Sequence, residues 1–183
     1  MRAALAISDD PDQTLALARG GDPTAFAAVV RRHQAMVFSL ALHTLRSRVA
    51  AEDLAQEVFL TLYRSLARVE SDVHVISWLR RVTSHRCIDE RRRLRYRMEL
   101  PMDPLPDRGA PPASRELFLE GRLQQLVAGL PPRAGVVMAL RYQEELEPCE
   151  IADVLNMPVN TVKSHLRRSL AALRAALLKE GQA

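Results

Sequence analysis

The chain has 183 residues, close to half of them apolar, which suits one mid-sized packed domain or two small ones and excludes wholesale disorder. Its formal charge of +4 is unevenly spread: Leu79–Arg97 holds eight arginines against Asp89 and Glu90, Asn160–Lys179 holds five basic residues and no acidic one, and the rest of the chain carries −7. No apolar run reaches the roughly 18–20 residues of a membrane span, and Met1–Asp12 lacks the basic start and long apolar core of a signal peptide, so a cytoplasmic protein without membrane insertion is expected.

Ala, Leu and Arg are abundant and aromatic residues scarce, a composition that favours helices over sheets. The first expected helix runs from about Pro11 to Arg19 and stops at Gly20-Gly21. Asp22-Pro23 then reads as an N-cap followed by proline at the first helical position. The helix it opens extends to about Leu45, with Phe26, Val29, Val30, Val37, Leu40 and Ala41 at helical spacing. A third spans about Val49–Ala67 on the stripe Leu54, Val58, Leu62, Leu66. After a loop at Arg68–His74, a fourth spans about Val75–Arg97; its stripe starts cleanly with Val75, Trp78, Leu79 and Val82 and continues less cleanly through Cys87 and Ile88.

Glu99–Ala113 contains five of the eleven prolines and reads as a linker. Four further helices follow, near Ser114–Ala128, Pro132–Tyr142, Pro148–Leu155 and Val159–Lys179. The expected organisation is all-α: a tail (1–13), a helical domain (14–97), the linker (98–113) and a second helical domain (114–179) containing a helix-turn-helix. Cys87 and Cys149 stand far apart and outside any CxxC pattern, so both are expected as small buried hydrophobes.

The last two helices carry the sharpest local pattern. Glu150–Leu155 is a short amphipathic helix, Asn156-Met157-Pro158 is a turn, and Val159–Val162 opens the next helix. Asn at the turn tolerates the left-handed conformation that a tight junction requires. Ala152 is small where the helices would cross. Val162, Leu166, Leu170, Leu173 and Leu177 make the expected buried stripe, which leaves Lys163, Ser164, Arg167 and Arg168 toward solvent. This is the layout of a helix-turn-helix whose second helix enters a major groove. Arginine can bind guanine bidentately, while lysine and serine reach phosphates or base edges. An ordinary helical hairpin with a solvated basic face is the plainer alternative.

A second pattern is the run Arg91-Arg92-Arg93 with Arg95 and Arg97, preceded by Arg80, Arg81 and Arg86 and flanked by Trp78 and Tyr96. Such cations neutralise phosphates, and an aromatic ring can stack on an unpaired base. Trp78 also fits a core position. The third pattern is acidic: Glu52, Asp53 and Glu57 around Gln56. By themselves these carboxylates only favour a helix N-terminus. No histidine lies near them at ligand spacing, and His33 and His43 read as structural. There is no Gly-rich phosphate loop, HExxH, GxSxG or Cys/His arrangement, so neither an enzyme nor a cofactor nor a metal site is expected.

In order and spacing these pieces resemble the extracytoplasmic-function (ECF) sigma factors of bacterial RNA polymerase. The resemblance covers about Thr14–Arg97 and Arg115–Leu178. Ala51–Phe59 is similar to the family's polymerase-binding helix. Trp78–Val82 followed by Ile88–Arg92 is similar to its promoter-opening helix. Leu130–Arg133, Leu140–Tyr142, Glu150–Ala152 and Thr161–Ser164 are similar to its second DNA-binding domain.

The resemblance implies that Asp53, Gln56 and Glu57 contact core polymerase. It implies that Trp78, Arg80, Arg81, His85, Asp89, Arg92 and Arg93, with the loop Arg68–Ser77, engage and melt the minus-ten element. Asn160, Thr161, Lys163, Ser164, Arg167 and Arg168 would read the minus-thirty-five element. The implied partners are core RNA polymerase, promoter DNA in double- and single-stranded form and, by family analogy, an anti-sigma factor, with a monomer as the free state. Several positions depart from the family pattern: His85 stands at a usual asparagine, Val75 at a common aromatic, Glu145 and Glu147 at a typical glycine and a small residue, and His165 at a common arginine. A conventional helix-turn-helix regulator that does not recruit polymerase is the alternative. A metal-dependent nuclease built on Glu52, Asp53 and Glu57 is a more distant one.

Overall fold

The computed structural model describes residues 10–99 and 125–180, and all regular structure among these is helical. They fall into two compact units that divide inside one helix, between Arg86 and Cys87. The expected helix at 114–128 and the prolines of the linker lie mostly outside the described residues.

The N-terminal unit begins with α1 (Pro11–Arg19), capped by the Asp10 carboxylate, which accepts the Asp12 N–H at 3.0 Å. Gly20 closes the helix, and Gly21 takes φ +88°, a conformation open to glycine at little cost. α2 (Pro23–Leu45) starts as the sequence implies: the Asp22 carboxylate accepts from Thr24 N–H at 2.8 Å and Ala25 N–H at 3.2 Å, with Pro23 at the first position. A cap of this kind is worth about 1 kcal/mol. α2 ends at Arg46, whose left-handed backbone (φ 59°) turns the chain into α3 (Arg48–Ser65), capped by Ser47.

The third helix ends earlier than its apolar stripe suggests, and Leu66–Arg68 continue as a 3-10 turn. The tighter winding redirects the chain while keeping Leu66 in the core. α4 (Asp72–Glu99) starts three residues before Val75, so the expected loop shrinks to Val69–Ser71. The reason is capping that the periodicity does not reveal: Ser71 Oγ accepts the His74 N–H at 3.2 Å, and the Asp12 carboxylate accepts the Asp72 N–H at 2.7 Å. α1 and α3 both pack on α2. Leu15, Val29, Val37, Leu40, Val58, Leu62, Val69, Val75 and Leu79 are all fully buried there.

In the C-terminal unit, residues 125–129 are helical and lead into α5 (Pro132–Tyr142). α5 is buried continuously from Ala134 to Leu140, as expected of a helix apolar on every side. α6 (Pro148–Leu155) and α7 (Val159–Glu180) follow, and both α5 and α6 pack on α7.

The buried seam of α7 differs from expectation. Val162 and Leu173 are buried, Leu166 is half-buried, and Ser169 is buried in place of a leucine. Leu170 is 44 % exposed and Leu177 37 % exposed. A turn of about 3.6 residues brings Val162, Leu166, Ser169 and Leu173 to one side of α7, where Leu173 packs with Leu130, Ala134 and Met138, and leaves Leu170 off that line.

Two further expectations are corrected. Cys87 is buried but Cys149, in the exposed first turn of α6, is not. Arg91, part of the basic run expected to neutralise phosphates, is only 9 % exposed. Its Nη2 donates to the carbonyls of Ala128 at 2.6 Å and Leu130 at 2.7 Å, within the C-terminal unit.

Candidate functional site

The helix-turn-helix is built by three local devices. The Glu147 N–H donates to the Glu150 carboxylate at 2.7 Å, which opens α6. The Glu147 side chain pairs with Arg141 of α5 at 2.7 Å. Asn156 adopts the left-handed conformation (φ 48°, ψ 57°) that its side chain tolerates, and α7 starts three residues later. Ala152, 5 % exposed, allows the close approach of α6 to α7.

On α7, Asn160, Thr161, Lys163, Arg167 and Arg168 are exposed, whereas Ser164, also expected toward solvent, is half-buried. Arg168 Nε donates to the Ser164 carbonyl at 3.2 Å, which orients its guanidinium along the helix. His165 is partly buried beside this face. Desolvation first, and then the charges of Arg168 and Arg133, hold its imidazole below the usual histidine range. A basic helical face with its apolar edge buried can dock on duplex DNA, placing cations against phosphates and side-chain donors against base edges.

On α4, Trp78, Arg81, His85, Asp89 and Arg92 recur at spacings of three and four residues and so share one face. Trp78 and Arg80 are half-buried, while Arg81, His85, Asp89, Arg92 and Arg93 are exposed. The first four of these seven belong to the N-terminal unit, and Asp89, Arg92 and Arg93 to the C-terminal one. His85 Nδ1 lies 2.8 Å from the Arg81 carbonyl. A carbonyl only accepts, so Nδ1 is the donor in this contact. Arg92 and Arg93 sit 3.5 Å and 3.4 Å from Asp89 and Glu90.

On α3, Glu52, Asp53, Gln56 and Glu57 are all exposed. Glu52 pairs with Arg48 at 2.8 Å, and Glu57 with Arg86, which also donates to Thr61 Oγ1 at 3.1 Å. Beside this acidic face lies a feature the sequence reading missed, an apolar groove of about 760 Å³ between α2 and α3. Phe26, Val30, Phe38, Phe59, Leu60 and Tyr63 line it, with Glu52 and Gln56 at its rim. Phe26 and Tyr63 meet edge to face at 5.0 Å, and Leu60 and Tyr63 are each more than half exposed. The sequence carries no signal for it: Phe26 and Val30 fall on the apolar stripe of α2, and their half-burial is visible only in the structure. Among the described residues no group of histidine, cysteine and carboxylate side chains is placed to hold a metal ion, and no helix is long and apolar enough to cross a membrane.

Comparison with known proteins gives this arrangement its class. Residues 29–97 match the family model of sigma-70 region 2, and residues 120–173 that of sigma-70 region 4. The sigma factor SigW of Bacillus subtilis is 29 % identical over 170 residues, covering 86 % of this chain and 91 % of that protein. SigE of Mycolicibacterium smegmatis is 33 % identical over 181 residues, covering 94 % of this chain and 70 % of that protein. The solved structure of CnrH in complex with the cytosolic domain of CnrY matches with a TM-score of 0.66 at 23 % identity, over 92 % of this chain and 97 % of that one, a likeness of fold. The chain belongs to the ECF RNA polymerase sigma factors. It is a DNA-binding protein of transcription initiation.

Proposed function

We propose that this sigma factor docks on core RNA polymerase through Asp53, Gln56 and Glu57 of α3, reads the minus-thirty-five element through α7, and engages and opens the minus-ten element through α4 and the loop before it. The observation that carries this reading is the outward face of α7: Asn160, Thr161, Lys163, Arg167 and Arg168 are exposed while Val162 and Leu173 anchor the helix in its unit. Exposed acidic residues beside the apolar groove support a protein partner with basic and apolar side chains. The stripe Trp78–Arg92 supports capture of unstacked bases, since aromatic stacking and phosphate neutralisation offset the few kcal/mol that melting costs.

The reading extends to regulation and compartment. The neighbour CnrH was solved with a bound CnrY domain, which supports an anti-sigma factor as a further partner here. The protein acts without catalysing a reaction of its own, as a monomer when free, in the cytoplasm where the polymerase works. Its proposed domains are residues 14–97 and 114–179, a division that the family matches at 29–97 and 120–173 support, whereas the compact units divide inside α4, between Arg86 and Cys87.

The test is a pull-down of purified bacterial core polymerase followed by transcription from a genomic-fragment library. Stoichiometric core binding with new discrete start sites is the expected result. Duplex binding without core binding would overturn it in favour of a conventional regulator.

A further inference from the structure

We propose that Asp72, held by His33 and Asp12, is a positioning residue that sets the loop Val69–Ser71 and thereby the base selectivity of the minus-ten interaction. The inference rests on the reading that this loop engages the minus-ten element.

The loop is three residues long and tied at both ends. At one end Val69 is fully buried, and its N–H donates to the Leu66 carbonyl at 3.1 Å. At the other end three tethers converge on Asp72. Its backbone N–H donates to the Asp12 carboxylate of α1 at 2.7 Å. Its own carboxylate accepts from His33 Nε2 of α2 at 3.1 Å and lies 3.5 Å from Arg32 Nη1. The His33 side chain is only 6 % exposed and that of Asp72 16 %. Between these ends Glu70 stands exposed and Ser71 half-buried.

These tethers do more than start a helix. Ser71 Oγ already caps α4 by accepting the His74 N–H. The Asp12 carboxylate satisfies a second orphan N–H of the first turn, but it does so from α1, sixty residues away. Its effect is to fix where α4 and the loop lie on the bundle. Burying a histidine against a carboxylate acts the same way, because a partly buried hydrogen-bonded pair permits few alternative placements. A loop held this way presents Glu70 and its neighbours at one fixed position, and a reader of a flipped base requires a fixed geometry. Loosening the tethers costs the preferred base its advantage without removing any group that touches DNA.

The experiment uses the full-length protein with core polymerase. Open-complex formation is measured on promoters recovered by the transcription assay, identical in the minus-thirty-five element and varied singly in the minus-ten element. Asp12→Ala and His33→Ala are expected to compress the ratio between best and second-best base by about fivefold, the worth of one net hydrogen bond. Core affinity and minus-thirty-five duplex binding should be retained. Asp12→Asn keeps an acceptor and His33→Gln keeps a donor, so both should restore the ratio. Because Asp12 is exposed, its variants remain informative even if His33→Ala does not fold.

A uniform loss on all promoters, tracking melting temperature, would overturn the proposal and leave the tethers merely structural. Glu70→Ala separates the two levels. If it shifts base preference while the Asp12 and His33 variants do not, the tether is wrong and the loop reading stands. If no loop or tether variant changes base preference, both are wrong.

Discussion

Adding one methyl group at Gly135 should destabilise the C-terminal unit, although alanine is the better helix former. Gly135 lies within α5, and a Cβ built there falls deep inside the Arg91 Nη1 atom and 3.2 Å from Arg91 Cζ. An arginine tip at the surface would swing away at little cost. This one is 9 % exposed and its Nη2 is committed to two carbonyls at 2.6 and 2.7 Å. Hydrogen bonds from a charged group are worth about 1.5–3 kcal/mol each, and overpacking costs about 1–3 kcal/mol. Alanine returns about 1 kcal/mol of helix propensity over glycine. The net expectation for Gly135→Ala is a loss of about 1–3 kcal/mol. In an Arg91→Ala background the obstacle is gone, and the same change should stabilise by about 1 kcal/mol. Because the chain has two units, native-state hydrogen exchange at the buried amides of α5 is the appropriate assay. Stabilisation by Gly135→Ala in the parent chain, or an equal cost in both backgrounds, would refute the reasoning.

Four other expectations follow from the same geometry. Glu145 holds φ +56°, where a side chain costs about 1 kcal/mol or more, so Glu145→Gly should raise the melting temperature of the C-terminal unit; an unchanged or lower value would count against strain there. Arg167→Ala should weaken binding to the cognate minus-thirty-five duplex by about 1–3 kcal/mol, measured by anisotropy, and an equal loss on random duplex would reduce Arg167 to a phosphate contact. Asp53→Ala should weaken core-polymerase binding in a pull-down titration and leave minus-thirty-five duplex binding unchanged, and the reverse pattern would remove α3 from the polymerase interface. His165 has its folded-state affinity for protons lowered, chiefly by desolvation, so the unfolded chain binds the proton more readily. Stability from this residue is therefore present above the unfolded value of about 6.5 and declines as pH falls toward the lower folded value. His165→Gln should flatten that acid-side decline in a melting-temperature profile, and an unaltered profile would show that another group is responsible.

Local chemistry made much of this fold legible. Asp22-Pro23 fixes the start of α2, Pro132 that of α5, and Asn156 the turn before α7, each through a backbone preference that operates without tertiary help. The outward residues of α7 were equally legible, because a helix with one apolar seam must present the remainder to solvent. Features decided by distant contacts were not. Nothing near Asp72 announces that Asp12 will cap it, so the start of α4 was placed late. Ser169 takes the place of Leu170 in the seam because a turn of about 3.6 residues brings position 169, not 170, back to the side of Val162 and Leu173; the leucine at 170 drew the expected stripe off that line. The groove was missed for a different reason. Phe26 and Val30 have the spacing of core residues, and only the packing of α3 on α2 leaves them at an open surface.

Arg91 shows why a charge count and a binding surface differ. The sequence assigns eight arginines to Leu79–Arg97 without distinguishing among them. Burial does distinguish them, since a guanidinium donating to Ala128 and Leu130 carbonyls cannot reach a phosphate without leaving those acceptors unsatisfied inside the unit. Arg92 and Arg93 are also paired, but with half or more of each guanidinium side chain exposed, and such pairs are worth about 0–1 kcal/mol. A phosphate, itself multiply charged and able to accept bidentate bonds, competes with a lone carboxylate on those terms. Arg86 is intermediate, shared between Glu57 and Thr61, so that one of the carboxylates proposed to meet the polymerase is already engaged to a cation of α4. Lys163 and Arg167 on α7 make no ion pair among the described residues. Salt should therefore act unequally on the two DNA contacts: the α7 cations exchange only counterions for phosphates, whereas those of α4 first give up carboxylates, which dilutes the counterion-release term there.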